Sequence, residues 1–388
     1  MTNMRAVIIG GAMSGNQGAH LMVHQVTKLV LEREGSAVTV LSQYAKIDAG
    51  NESERVTIAN GSPLAVFPTL FLLSLTYRAI QPLRPFLIRK SHLIRNIVNS
   101  NVALDVSGIS FVSGRTGPLI YNTAVLLPFF ILGVPVVKLS QAMGPFTDPV
   151  TKFSAKYVLS KCAAVFARGE GTFSNVTKLD TKVRIERSPD LVFMLANSEN
   201  VHVKGDGIAI IPSNVVKRKF DRQFGEGSYV ALITATVNRL KLNHRIVILS
   251  FATLPGSGSH NNDSELCRQI SSGTGVAYEK SHSIDHLIES LASCQIAVTG
   301  RFHGMIAALA LGLPAIVTAW GHKYDEALWG KPFAVEVIDY NKLEEELLTA
   351  KISELCHLSQ QNSHGNRKFA RQLGSIARRT TLDELNRY

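Results

Sequence analysis

Cysteine is scarce and scattered. The 388-residue chain holds four, Cys162, Cys267, Cys294 and Cys356, and no two of them stand as C-x-x-C. That spacing excludes a zinc ribbon and a disulfide scaffold, and it predicts four buried, reduced thiols. Long apolar runs are missing too. The longest, residues 64–75 and 123–137, are shorter than a membrane span and are broken by Pro68, Pro128, Gly133 or Pro135. The run at residues 4–9 is too short for the core of a secretory signal. A cytoplasmic protein is expected, in which the N-x-S/T sequons at Asn51, Asn60, Asn175 and Asn262 carry no weight. Acidic residues are absent from one whole stretch. None lies between Glu54 and Asp105, whereas Arg55, Arg78, Arg84, Arg89, Lys90 and Arg95 do.

Material for a core is plentiful. A hydrophobic fraction of 45% with 18% charged residues excludes a disordered chain, and the length suits two domains. The formal net charge of +11 favours anionic partners: phosphates, acidic sugars, nucleic acid or anionic lipid. No basic–aromatic array or recognised module supports nucleic acid.

Short β-branched runs alternate with helical patterns, which implies βαβ units and parallel sheets. In the first half, strands are predicted at 5–9, 37–41, 102–106, 134–139, 163–167 and 183–185. Helices are predicted at 19–30, 119–132, 150–161 and 171–179, with one or two more inside 63–99. Residues 197–206 are polar and aperiodic and read as a linker. The alternation then restarts, with strands at 208–211, 246–251, 276–278, 296–298 and 315–318. Helices follow at 229–242, 264–271, 284–293 and 303–311. The expected domains are 1–196, on the acceptor side, and 207–345, on the donor side. A basic helix at 364–388 is expected to pack back on the first domain. Two Rossmann-like domains facing a cleft, a GT-B-like α/β fold, would place ligands at the carboxyl ends of the strands.

The chemistry-bearing residues sit at those strand ends. In Thr299-Gly300-Arg301-Phe302-His303-Gly304, a strand runs into a helix, with Gly312 and Pro314 marking its end. Arg301 and His303 therefore occupy a helix N-terminus, which binds anions, and Arg301 adds a planar fork for carboxylate or phosphate. The plainer reading is a salt-bridged arginine and a helix-start histidine. The front loop from Gly10 to Gly18 is either a packed turn or a ligand loop; its spacing is not G-x-G-x-x-G, so a dinucleotide site is rejected. Asp105 and Gly108 follow a strand and either face the cleft or cap the next helix. Gln141 and Gly144-Pro145 also follow a strand. Arg168 stands at a junction like that of Arg301, as a rim ligand for an anion or as an ordinary surface arginine.

Several of these segments together resemble the polysaccharide pyruvyl transferase family. They are Gly15-Asn16-Gln17-Gly18-Ala19, Ser140-Gln141-Ala142-Met143-Gly144-Pro145, residues 168–174, Ser188-Pro189-Asp190-Leu191-Val192-Phe193 and Ile210-Ile211-Pro212-Ser213-Asn214. Above all there is Gly300-Arg301-Phe302-His303-Gly304, followed by an alanine-rich helix and Gly-x-Pro. Lys323 matches a lysine common in the family. The chain departs at His20, where the family usually has an acid, and at Ser107-Gly108-Ile109, where many members have two glycines. The resemblance implies a GT-B-like fold and formation of a pyruvate ketal on two sugar hydroxyls, with phosphoenolpyruvate as donor. It implies His303 as general acid and Arg301 and Arg168 as donor ligands, with Lys323 assisting. Asn16, Gly18, Asp105, Gly108, Gln141, Ser213 and Asn214 would line the substrates. No metal or cofactor is called for. The partners would be phosphoenolpyruvate and a glycan or lipid-linked saccharide. The acid-free stretch, read from its own charges and apolar runs, is either a solvated face over a buried helix, a surface for peripheral contact with anionic membrane, or one that holds an anionic acceptor sugar.

A GT-B glycosyltransferase using a nucleotide sugar is the alternative, with Asp325 or Glu326 holding a ribose. A silent binding scaffold is a third reading, against which the joint presence of Arg301 and His303 argues.

Overall fold

The computed structural model describes residues 3–198, 205–254, 262–319 and 327–388. The chain divides into two compact α/β units. The first comprises Met1–Ser14, Ala19–Leu191 and Ala377–Tyr388; the second comprises Gly15–Gly18 and Val192–Ile376.

The sheet of the first unit is built from β1 (Arg5–Ile9), β2 (Ala37–Ser42), β3 (Val56–Asn60), β4 (Val102–Asp105), β5 (Ile109–Ser110), β6 (Val136–Met143), β7 (Ala164–Ala167) and β8 (Arg184–Arg187). The order is β3-β2-β1-β4-β6-β7-β8, with β5 on β6. Every pair is parallel: Val7 lies beside Thr39 on one side and Ala103 on the other. The inner strands β4 and β7 are buried at every residue, which is why they read as continuous apolar runs rather than alternating ones.

Three local expectations change. Strand β3 is a half-exposed edge of mixed polarity, so it carried little periodic signal. The helix expected over 119–132 is two, Thr116–Ala124 and Leu127–Leu132. Pro128 has no N–H to continue the first helix but suits the first turn of the second. Strand β6 does not stop at Leu139 but continues to Met143 through a register shift between Lys138 and Gln141. Gln141 therefore lies within a strand, not on the loop after it.

The second unit holds β9 (Gly207–Ile211), β10 (Ile246–Leu249), β11 (Tyr278–Glu279), β12 (Cys294–Thr299), β13 (Ala315–Ala319) and β14 (Val335–Asp339), all parallel, in the order β11-β10-β9-β12-β13-β14. Strand β14 and the helices Asn214–Phe224 and Glu345–His357 were not expected from the sequence. In the Asn214–Phe224 helix the only buried apolar side chains are Val216 and Phe220, four residues apart, too few to show a helical period. The last helix, Ser359–Leu385, is longer than predicted. Its residues from Ala377 onward count with the first unit, where Glu384 pairs with Arg184, and Arg378 with Glu32 at 2.6 Å. Among the described residues, no helix is long and apolar enough to cross a membrane.

Candidate functional site

In the second unit, strands β10, β9 and β12 are neighbours, and each leads from its carboxyl end toward a helix. The helices are Ser264–Thr274, Asn214–Phe224 and Phe302–Ala310. One fully buried carboxylate, Asp263, joins the three loops. Its Oδ1 accepts from the backbone N–H of Asn214 at 2.9 Å and from Arg301 Nη2 at 2.5 Å. Its Oδ2 accepts from Arg301 Nε at 2.7 Å and from the Ala252 N–H at 3.2 Å. Arg301 is the N-cap residue of its helix, but it offers no side-chain cap; its fork is held in a bidentate pair with Asp263. Of the two readings of Arg301, the structure shows the salt-bridged arginine. Sequence reasoning missed Asp263 because it sits inside a sequon in a polar stretch with no periodicity. Ser213 caps the Asn214 helix, accepting from Val215 N–H at 3.2 Å, and Asn214 Nδ2 donates to the Asn262 carbonyl.

The front loop belongs to this unit. Asn16 bridges Ala252 in antiparallel fashion, the Gln17 N–H donates to the Phe251 carbonyl at 2.9 Å, and the Thr253 N–H donates to the Gly15 carbonyl at 3.0 Å. Residues 15–18 are therefore a strap laid on the segment that Asp263 anchors. Asn16 Oδ1 accepts from the Gly18 N–H at 3.0 Å, which tightens the strap's turn. A Cβ on Gly18 would overlap the Cβ, Cγ and Nδ1 of His303, so only glycine lets the imidazole lie against this backbone. Gln17, which had no assigned role, is buried, and its Oε1 has no hydrogen-bond partner among the described residues. The structure thus brings together Asn16, Gly18, Ser213, Asn214, Arg301 and His303. Lys323, with Asp325 and Glu326, lies outside the described residues.

Asp105, Gly108, Gln141 and Arg168 belong to the first unit. Asp105 is buried against Lys138, itself fully buried, and accepts from the Ser107 N–H at 2.9 Å. The alternative in which Asp105 caps a helix does not hold. Gly10, at φ +77°, has no room for a Cβ beside Ser107 and Asp105. Gln141 Nε2 donates to the Asp105 carbonyl at 2.7 Å, and its Oε1 accepts from Ser110 Oγ at 2.7 Å. A cavity of about 340 Å³ opens at the strand ends, lined by Gly10, Gln43, Ser107, Gly108, Tyr121 and Asn122 among others. Burial pushes the Tyr121 hydroxyl up to about 12, and it donates to the Gly61 carbonyl at 2.7 Å. Arg168 is corrected from a rim position: it is buried, and its Nη1 donates to the buried Asp190 at 2.6 Å. That pairing, inside the Ser188–Phe193 segment, gives the arginine a counter-charge in place.

Three cysteines are buried as expected, but Cys356 is only half-buried. Burial raises the thiols of Cys162 to about 12 and of Cys294 and Cys356 to about 11, so none of these three is a thiolate near neutral pH. Among the described residues, no group of three His, Cys, Asp or Glu side chains gathers as a metal site.

The family model of the polysaccharide pyruvyl transferases matches residues 55–322, more than half of the sequence. The chain belongs to that family. Membership implies transfer of a pyruvyl group to a polysaccharide. No curated protein matches the sequence. Among solved structures, this family member is similar to the UDP-GlcNAc 2-epimerase of Neisseria meningitidis bound to UDP-GlcNAc, with a TM-score of 0.60 at 12% identity, covering 100% of both chains. It is also similar to the S. aureus MnaA–UDP structure, with a TM-score of 0.56 at 11% identity, covering 100% of this chain and 97% of that one. At such identities the likeness is one of fold: two Rossmann-like units in the GT-B-like manner.

Proposed function

We propose that this pyruvyl transferase moves the enolpyruvyl carbon skeleton of phosphoenolpyruvate onto two hydroxyls of one sugar, in a polysaccharide or its lipid-linked precursor, to form a cyclic ketal. A proton adds to the donor's methylene carbon and makes it a methyl group. The C2 centre, cationic as this happens, takes the oxygen of the first hydroxyl, whose proton leaves. The bond from C2 to the phosphate oxygen then breaks, phosphate departs, and the second hydroxyl oxygen closes the ring with loss of its proton.

The observation that best supports this reading is the His303 imidazole at the carboxyl end of β12, set against the bare backbone of Gly18. A fixed imidazole is the acid the methylene needs, and the helix start beside it favours the donor's anionic groups. Asp263 uses only Nε and one Nη2 proton of Arg301, so the Nη1 edge remains suited to a carboxylate or phosphate. Arg301 is therefore a donor ligand held in place by Asp263. The cavity at the first unit's strand ends, lined by Gly10, Ser107 and Gly108, is the acceptor pocket in this reading.

Ligand-dependent melting tests the donor. A ligand at about 100 times its Kd stabilises by about 2.7 kcal/mol. Phosphoenolpyruvate should raise the melting temperature by several degrees, and Arg301→Lys, which keeps the charge without the fork, should shrink that rise. Stabilisation by UDP-GlcNAc and none by phosphoenolpyruvate would replace this reading with the nucleotide-sugar alternative.

A further inference from the structure

We propose that the helical segment 63–95 of the first unit docks on the surface of an anionic lipid bilayer. Seven of the eighteen large apolar side chains that are exposed among the described residues fall within residues 64–86. Leu64 is 79% exposed, Leu72 55%, Phe67 51% and Phe86 50%. They are not strays of a poorly packed region. Val66, Leu70, Ile94 and Ile97 of the same segment are buried in the unit's core, Leu73 and Tyr77 pack against it, and Leu87 is buried too, so the helices Phe71–Ala79, Arg84–Lys90 and His92–Val98 already have an inward face. The outward face is what remains to be covered.

Charge decides what covers it. Arg78, Arg89 and Lys90 are exposed between the apolar residues, and no acid occurs from Arg55 to Leu104. A second copy of the chain in a two-fold dimer would set this face against itself, cation to cation, with no carboxylate from the segment to pair. Aliphatic and phenyl groups interleaved with Lys and Arg instead match the boundary between acidic headgroups and acyl chains. Two of the arginines have another task. Arg84 Nε donates to the Tyr77 carbonyl at 2.9 Å and Arg95 Nε to the Ile88 carbonyl at 3.0 Å, each closing the last turn of the preceding helix. They shape the face, and a test of its charge must leave them alone.

The docking does not depend on the donor chemistry. That a lipid-carried saccharide enters the nearby strand-end cavity, whose lining includes Pro63 and Ile109, does rest on the pyruvyl-transfer reading. Vesicle binding by the full chain tests the docking alone. The probes are vesicles of phosphatidylcholine, with and without phosphatidylglycerol, in flotation assays at low and raised salt. Wild-type protein should float only with phosphatidylglycerol vesicles and should be released by salt. Each exposed basic residue at such a surface is worth about five-fold in partitioning, so Arg78→Gln/Arg89→Gln/Lys90→Gln should weaken it roughly 100-fold. Leu72→Ser/Phe86→Ser should weaken it at least about ten-fold. Both variants change exposed side chains only, and their melting curves should overlay wild type. No flotation at low salt overturns the docking, as does equal binding to neutral vesicles or an unaltered partition of the triple variant. A dimer that dissociates on Leu72→Ser/Phe86→Ser, without vesicle binding, would assign the face to self-association instead.

Discussion

Asp263→Asn removes a single charge and replaces one oxygen by an amide, at a residue that faces four donors. Each carboxylate oxygen accepts twice, once from Arg301 and once from a backbone N–H. Whichever way the new amide turns, its NH2 meets two donors. The loss is one hydrogen bond from Arg301 and one from a backbone N–H, both to a charged acceptor and each worth about 1.5–3 kcal/mol. Arg301 keeps 18% side-chain exposure, so water recovers part of its solvation. A net cost of about 3 kcal/mol follows, or roughly 6–12 °C for a unit of this size. Arg301→Met alone leaves Asp263, with 0% exposure, uncompensated, and should cost about 3–5 kcal/mol. The double variant should cost less than the sum, with a coupling of about 2 kcal/mol. Thermal melts of the three variants measure all of this. A melting temperature for Asp263→Asn within about 1 °C of wild type, or strictly additive losses, would refute the claim that this carboxylate ties the three strand-end loops together.

His303→Ala should reduce turnover about 10²–10⁴-fold with the fold intact, and should remove the imidazole limb of the pH–rate profile; near-normal turnover would dismiss it as the acid. Gly18→Ala should push the imidazole aside and lower kcat about 100-fold, without the collapse of melting temperature that Asp263→Asn brings; unchanged kcat would mean that the strap does not position His303. Asp221 gives a pH test of the Asn214–Phe224 helix. Burial alone would raise its carboxyl, but the hydrogen bonds from Lys217 and from the Tyr229 and Gly227 backbone outweigh this and hold it below its ordinary value. A lowered folded value means that the stabilisation is fully present above the unfolded pKa and fades as pH falls through the folded one. The cost of Asp221→Asn in urea unfolding should be constant from about pH 6 to 8 and shrink below about pH 4. A cost independent of pH would show that the carboxylate charge contributes nothing.

Much of this architecture is readable from residue order, because parallel sheets buried on both sides leave apolar runs, and glycines mark where chain must pass close to chain. Arg301 and His303 were legible for that reason: Gly300 and the alanine-rich helix fix a strand-to-helix turn around them. Asp263, Lys138 and Gln17 were not. A buried charge has no periodic signature, and its meaning lies in partners tens of residues away: Arg301 for Asp263, Asp105 for Lys138. Arg168 shows the same limit from the other side. Its position in the sequence parallels that of Arg301, but whether an arginine faces water or a carboxylate depends on a residue such as Asp190 that only the fold supplies.

The allocation of four residues, Gly15–Gly18, to the second unit has a consequence for how such enzymes change over time. The backbone passes from one unit to the other four times, so neither is a contiguous cassette. A crossover that exchanged residues 192–376 with those of a relative would import a histidine and an aspartate shaped around someone else's glycine strap. The recipient's own residues 15–18 would then have to fit a ring they were never selected against. Chimeras joined near residue 191 should therefore lose activity unless residues 15–18 travel with the second unit. Repair by those four residues alone would show that heredity here follows contact rather than gene order.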